Sequence, residues 1–347
     1  MRTTILKSVA VAFAAALTVG GLAGCSGTDS NEPPAAGGGS DGPYHIIFTA
    51  GSTLVTDWDV YVAEDEGFFK KHNVEVENVT TETAEGANKL IITGGAQVAR
   101  GLAPMIQSIA GSGGALDLID VADTLVRPPF FMNVNKSITS TDQLKGKKIG
   151  TSSPTDNTTI VTIAFLDHLG MTPDDVELTT AGGTSARFAG LQSKALDASL
   201  LFPPVAQTAI SEGFPSLGYV PDLMGDDFKY AFSGVIMNPK WIKDNTEATH
   251  AYLAARNDAL KFLNDPANKD RAIEILADAT DVDVKAATDT YNALHIGTPQ
   301  SAFAQEIGID TDAVNGTLSI LQKIGQAPAD MKVEDLVDPT AAEAARG

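Results

Sequence analysis

The chain of 347 residues is 43% hydrophobic and 20% charged, and its 44 acidic side chains outnumber 24 basic ones, for a formal net charge of −20. That length is enough for two lobes of ordinary size, and so acidic a surface repels phosphate backbones and argues against nucleic acid as a partner. Cys25 is the only cysteine, which excludes an internal disulfide and a cysteine-based metal site.

Arg2 and Lys7 lead into an apolar run at 9–19, too short for a comfortable membrane span, so residues 1–24 read as a signal peptide rather than as part of the fold. The run gives way to Leu22-Ala23-Gly24-Cys25-Ser26, which resembles the lipobox of a bacterial lipoprotein. The resemblance implies cleavage before Cys25, a thioether lipid on its sulfur and an acyl chain such as palmitate on the new N-terminus. The mature chain would then be anchored to the extracytoplasmic face of the cell membrane. A plain secretory signal that happens to include the cysteine is the alternative. Residues 25–43, rich in Gly, Ser, Pro and Asp, read as a flexible tether behind the lipidated cysteine. Within it, Gly37-x-Gly39-x-x-Gly42 matches a dinucleotide fingerprint by letters only, because no strand precedes it and no helix follows.

The folded part opens with a β-rich run at 44–49, a helix at 54–66 stopped by Gly67, and a second strand at 74–79. A helix at 85–93, a short strand at 97–102, a helix from 105 and a strand at 115–121 follow. Strands that alternate with helices of about ten residues predict a mostly parallel sheet. Arg127-Pro128-Pro129 leads into 130–134, and a doubled proline suits an extended crossover rather than a central strand. Next come a short helix start at 141–144, a strand at 148–151, a hydroxyl-rich loop at 152–158 and a helix to 169. A strand at 176–180, the loop 181–185, a helix to about 195, a strand at 198–202 and a helix from Pro203-Pro204 to 212 continue the alternation. The apolar run 233–238 reads as a return crossover, and everything from Pro239 reads as helical, with a loose tail from 341.

Four stretches resemble one family in the right order. They are Tyr61-Val62-Ala63-Glu64-Asp65-Glu66-Gly67-Phe68-Phe69-Lys70-Lys71-His72-Asn73-Val74-Glu75-Val76, Asp142-Gln143-Leu144-Lys145-Gly146-Lys147-Lys148-Ile149-Gly150, Phe188-Ala189-Gly190-Leu191-Gln192-Ser193-Lys194-Ala195-Leu196-Asp197-Ala198 and Glu212-Gly213-Phe214-Pro215-Ser216-Leu217-Gly218. They are similar to signatures of the ABC-transporter solute-binding lipoproteins of the nitrate, sulfonate and taurine group and the thiamine-pyrimidine-precursor group. The chain departs from the pattern at Asn73 and Lys194, where glycine is usual, and at Gln97, where aspartate is common. The resemblance implies an α/β, type II periplasmic-binding-protein fold, with two α/β lobes, a cleft and two crossover strands. Lobe one would take 44–128 plus 237–347, and lobe two with the crossovers 129–236.

No zinc-protease motif or Walker A loop occurs, and His45, His72, His168, His250 and His295 have no metal-ligand spacing. No enzyme activity, metal or cofactor is therefore expected. A binder needs loops at the carboxyl ends of parallel strands on two closing lobes. Ser52 and Thr53, Arg100 and Gly101, Arg127, the group Ser153, Thr155, Asn157 and Thr158, and the pair Thr184 and Ser185 all fall at such ends. Loops of small hydroxyl residues running into a helix offer backbone N–H groups to an anion; ordinary helix capping is the alternative. An arginine can hold a carboxylate or sulfonate with paired hydrogen bonds, and Arg100, Arg127 and Arg187 are candidates against the alternative of internal salt bridges. Trp58 and Phe202 are candidate ring or wall contacts, with core packing as the alternative. The expected partners are a small-molecule ligand, an ABC permease with a separate ATPase, and the membrane through the lipid on Cys25, the protein itself acting as a monomer. A small organic anion, a sulfonate or carboxylate and aromatic in one variant, is the ligand class implied. The alternatives are a pyrimidine or thiamine-precursor binder, a synthase-like enzyme on the same scaffold, or a ligand-sensing surface lipoprotein.

Overall fold

The computed structural model describes residues 42–50, 55–81 and 84–346. Eleven strands are described: β1 Tyr44–Ala50, β2 Val74–Thr80, β3 Val98–Ala99, β4 Ile119–Leu125, β5 Phe131–Val134, β6 Lys148–Thr151, β7 Glu177–Thr180, β8 Ala198–Leu201, β9 Ser216–Tyr219, β10 Ser233–Met237 and β11 Phe303–Gly308. They form two sheets. Sheet one runs β11-β4-β10-β3-β1-β2 and sheet two runs β7-β6-β8-β5-β9. In each, the β-α-β units pair in parallel (β1 with β2 and β3, β6 with β7 and β8), and the strands next to the crossovers run antiparallel. The α/β architecture and its two sheets match the fold that the sequence implies. The chain passes from sheet one to sheet two at 126–130 and returns through 225–232.

The strands nearest the crossovers are the most buried. All of β10, all of β5 and all but the first residue of β4 are sequestered, as expected of strands covered on both faces. The helix Trp58–Asp65 stops where Gly67 takes a φ of 73°, and Phe69 plugs the turn before β2 by stacking on Tyr252 of the helix Thr246–Asn264. The two departures from the usual glycines keep the glycine geometry. Asn73 has a φ of 57° and Lys194 one of 62°. Asparagine tolerates that left-handed region readily, and a lysine there costs about 1–2 kcal/mol.

Four sequence readings need correction. The strand expected at 115–121 lies at Ile119–Leu125, running on past Asp120 through Asp123, which is also buried inside it. The region after Pro239 is not all helical: β11 pairs with β4 at the edge of sheet one. Ser216–Tyr219, where the sequence suggests no strand, forms one on the far edge of sheet two, pairing with β5. The tail is not loose, because Thr340–Ala345 is a helix that buries Ala341 and Ala342 against Thr246–Asn264. Among the described residues, no helix is long and apolar enough to cross a membrane.

Candidate ligand-binding cleft

In lobe two the carboxyl ends of β6, β7 and β8 bring the loops 152–156 and 181–183 together with Phe202. The first loop is largely self-satisfied. Asp156 caps the helix Asn157–His168, its carboxylate accepting the Thr158 N–H at 2.7 Å and the Thr158 hydroxyl. The Ser152 hydroxyl meets that of Thr158 at 3.1 Å, and Thr159 donates to the Ser153 carbonyl. The place an anion would take at this helix start is thus filled by the chain's own carboxylate. Thr158 is buried, Ser153 and Asn157 are half-buried and Thr155 is exposed.

The second loop is different. Gly182 takes a φ of 80°, and the helix Thr184–Gln192 starts at Gly183 with no side-chain cap. Thr184 is half-buried and Ser185 exposed, so their first-turn N–H groups lack the capping oxygen that Asp156 supplies next door. Arg187, one turn in, is 1% exposed. It donates from Nη1 to the Gly182 carbonyl at 2.6 Å, from Nε to the Leu200 carbonyl at 3.2 Å and from Nη2 to Thr184 Oγ1 at 3.2 Å. Burial pushes its pKa down to about 10, against the attraction of Asp156.

In lobe one, Ser52 and Thr53 lie outside the described residues, as does Cys25. Arg100 follows β3 and sets Nη1 3.0 Å from Asp57 Oδ1, the salt bridge that was its alternative reading. Burial raises the Asp57 pKa to about 6, with Arg100 pulling it down and Asp59 adding to the rise. Gly101 is buried with a φ of 103° and opens the helix Leu102–Gly111. Trp58 is no cleft residue: it is fully buried, edge-on to Tyr291 and Phe303, and its indole N–H donates to the Ala272 carbonyl at 2.9 Å. Arg127 is half-buried on the outgoing crossover, close enough to Tyr219 for its charge to act on the buried phenol. Phe202 is half-buried, its ring centroid 4.4 Å from that of Phe130 and 5.9 Å from that of Phe232.

The two lobes touch around these loops. Gln107 of lobe one donates to the Thr155 carbonyl at 2.9 Å and to Gln326 Oε1 at 2.5 Å. Tyr230 on the return crossover donates to Asn157 Oδ1. Lys323 pairs with Asp167 at 2.6 Å, and on the other flank His295 meets Asp222 at 2.9 Å. Contacts therefore join the two lobes on both flanks and at the return crossover, beside the loops at the strand ends of lobe two.

A family model described as NMT1/THI5 like matches residues 58–269. The chain belongs to the NMT1/THI5 like family. No curated protein matches the chain in sequence. Among solved structures, it is similar to the alkanesulfonate-binding protein SsuA from Xanthomonas axonopodis pv. citri bound to MOPS, with a TM-score of 0.68 and 14% identity over 86% of this chain and 99% of that one. The periplasmic aliphatic sulphonate binding protein SsuA from Escherichia coli gives 0.66 and 16% over 86% and 92%. The periplasmic nitrate-binding protein NrtA from Synechocystis PCC 6803 gives 0.68 and 15% over 88% and 89%. The fold of this NMT1/THI5 like chain is that of the periplasmic binding proteins.

For this NMT1/THI5 like protein, sequence reasoning missed Gln107, Gln326 and Tyr230, which reach across to lobe two. Only Tyr230, an aromatic just ahead of the return strand, carried any local signal; the glutamines sit in ordinary helical and turn contexts. It also missed that Asp156 closes one of the two helix starts, although the order Asp156-Asn157-Thr158 is a recognisable cap.

Proposed function

We propose that the protein is the extracytoplasmic solute-binding component of an ABC importer and captures a small organic anion, a sulfonate or a carboxylate, between its lobes. One observation carries the anion preference. Among the described arginines, Arg100, Arg256, Arg271 and Arg346 each have a carboxylate partner, whereas Arg127 and Arg187 have no ion-pair partner among the described residues. In a chain of net charge −20, two cations with no ion pair among the described residues, one on the outgoing crossover and one beneath the 181–183 loop, favour a negative solute over a neutral one. Ser153, Thr155, Asn157, Thr184 and Ser185 would supply polar contacts, and Phe202 with Phe130 an apolar wall for the solute's organic part. In this reading hinge closure traps the solute and the closed form docks on a permease driven by a separate ATPase, with no chemistry on the solute. Residues 1–24 would be removed, and 25–43 would tether a monomeric binding unit, 44–347, to the membrane through Cys25.

A thermal-shift screen of aliphatic sulfonates, aliphatic and aromatic carboxylates and neutral pyrimidines tests the solute class, because a ligand at a hundred times its Kd adds about 2.7 kcal/mol to stability. An anion is expected to raise the melting temperature. Stabilisation by neutral pyrimidines alone would favour the precursor-binding reading of the family and end the anion proposal. Cys25→Ser is expected to release the protein from membranes, and a variant that still sediments with them refutes the lipid anchor.

A further inference from the structure

Arg187 is placed where an arginine is least expected. It lies in the first turn of Thr184–Gln192, where the helix dipole opposes a cation. It is 1% exposed, and a charge removed from water is stable only when paired or richly hydrogen-bonded. Yet its three acceptors, the Gly182 and Leu200 carbonyls and the Thr184 hydroxyl, are all neutral. The acid that acts on it, Asp156, already accepts the N–H and the hydroxyl of Thr158. A guanidinium remains protonated at neutral pH in such a place, so lobe two carries a fixed positive charge beneath the 181–183 loop.

The same contacts shape the loop above it. The Gly182 carbonyl turns inward onto Nη1. In a trans peptide the N–H of the next residue points the opposite way, so the exposed Gly183 presents its N–H away from the guanidinium. Gly182 adopts a φ of 80°, which residues with side chains rarely take.

We propose that Arg187 is the specificity-determining residue of the cleft. Buried beneath the 181–183 loop, it selects an anionic solute over an uncharged one of the same shape, by its charge and by holding the Gly183 N–H outward rather than by direct contact. This rests on the reading of the cleft as a solute site and names the residue that sets its charge preference. The outward charge balance of the protein is unfavourable to anions, so the selection has to be local.

The test compares the full chain with Arg187→Gln, which keeps an N–H donor at the Nε position, facing Leu200, without the charge, and with Arg187→Lys, which keeps the charge. Calorimetry measures ethanesulfonate against ethanesulfonamide and benzoate against benzamide. Wild type is expected to prefer at least one anion over its amide. Arg187→Gln is expected to lose about tenfold or more of the anion's affinity while the amide changes little, and Arg187→Lys to recover most of the preference. A structural role alone would lower anion and amide together. If wild type prefers the anion and Arg187→Gln keeps the same ratio, the assignment of Arg187 is overturned and the anion reading stands. If wild type binds neither anion, both fall.

Discussion

The carboxyls of Asp120 and Asp123, three residues apart on β4, are both buried inside sheet one, close enough for the Asp123 charge to act on Asp120. Irregular pairing between β4 and β10 makes this possible. It leaves the Ala122 and Val235 N–H groups to be taken by Asp120 Oδ1, at 3.2 and 3.1 Å, and the carboxyl lies directly over Gly234. Asp123 Oδ2 accepts the Asp310 N–H at 2.8 Å, ahead of the helix Thr311–Lys323. The remaining oxygens, Asp120 Oδ2 and Asp123 Oδ1, have no hydrogen-bond donor among the described residues, so protonation lowers the cost of burying these carboxyls.

A pH dependence follows. Burial and the mutual repulsion of the pair push Asp120 up, and burial, offset by the Asp310 N–H, pushes Asp123 up to about 7. Both folded values exceed the unfolded value of about 3.9, so the folded state binds more protons. The pair's stabilisation is complete below that unfolded value and is lost as pH rises through about 7. Each pKa unit between folded and unfolded states is worth about 1.4 kcal/mol. Urea unfolding at pH 5 and pH 8.5 is expected to show wild type losing more stability over that interval than Asp123→Asn. Equal losses in the two proteins would remove the pair as the cause.

Arg100 and Asp57 make a second prediction. The Asp57 side chain is 6% exposed and that of Arg100 15%, and removing one partner of a buried pair typically costs about 3 kcal/mol or more. Arg100→Ala is therefore expected to be a stability variant first. The loss should be larger at pH 8 than at pH 5, because Asp57, already raised to about 6, becomes neutral at the lower pH and no longer needs its cation. A loss independent of pH, with solute affinity down tenfold or more in protein shown to be folded, would return Arg100 to the ligand.

The fold was legible in the sequence because its signals are local. Gly67, the Phe68-Phe69 pair and the prolines at 128–129 mark turns and crossovers whatever surrounds them. What was not legible depends on distant residues. The expected strand stops at 121, short of Asp123, since nothing nearby announces that β10 will supply Val235 N–H and Gly234 the space. β11 and β9 are edge strands with weak alternation, defined by the strands they join. In the cleft, the loops could be placed at strand ends but not ranked. Asp156 was needed to show that the 152–158 helix start is occupied by its own chain, and Gly183 that the 182–185 start is not.

Trp58 tests the same distinction from the other side. Because its indole is buried against Tyr291 and Phe303 and tied to the Ala272 carbonyl, Trp58→Ala is expected to cost about 3–5 kcal/mol of stability. Trp58→Phe should lose less, and both should bind solute with wild-type affinity at a temperature where each is folded. A Trp58→Phe variant of normal stability that binds solute tenfold more weakly would put the indole back in the cleft.

Gly316 gives the sharpest packing prediction. It lies within the helix Thr311–Lys323, where replacing glycine by alanine in an exposed turn ordinarily stabilises by about 1 kcal/mol. Here the added methyl would sit 2.1 Å from the Lys229 carbonyl oxygen on the return crossover. Backbone cannot swing aside as a side chain can, so helix and crossover would have to separate, at about 1–3 kcal/mol for overpacking. Separation would also disturb neighbouring ties of that crossover, the Tyr230 hydroxyl to Asn157 and the Thr317 hydroxyl to the Ala231 carbonyl at 3.1 Å. Gly316→Ala is therefore expected to lower the urea midpoint and, because 225–232 links the two sheets, to speed solute release. A raised midpoint would show that helix propensity outweighs the contact and that the helix does not press on the crossover as closely as its backbone indicates.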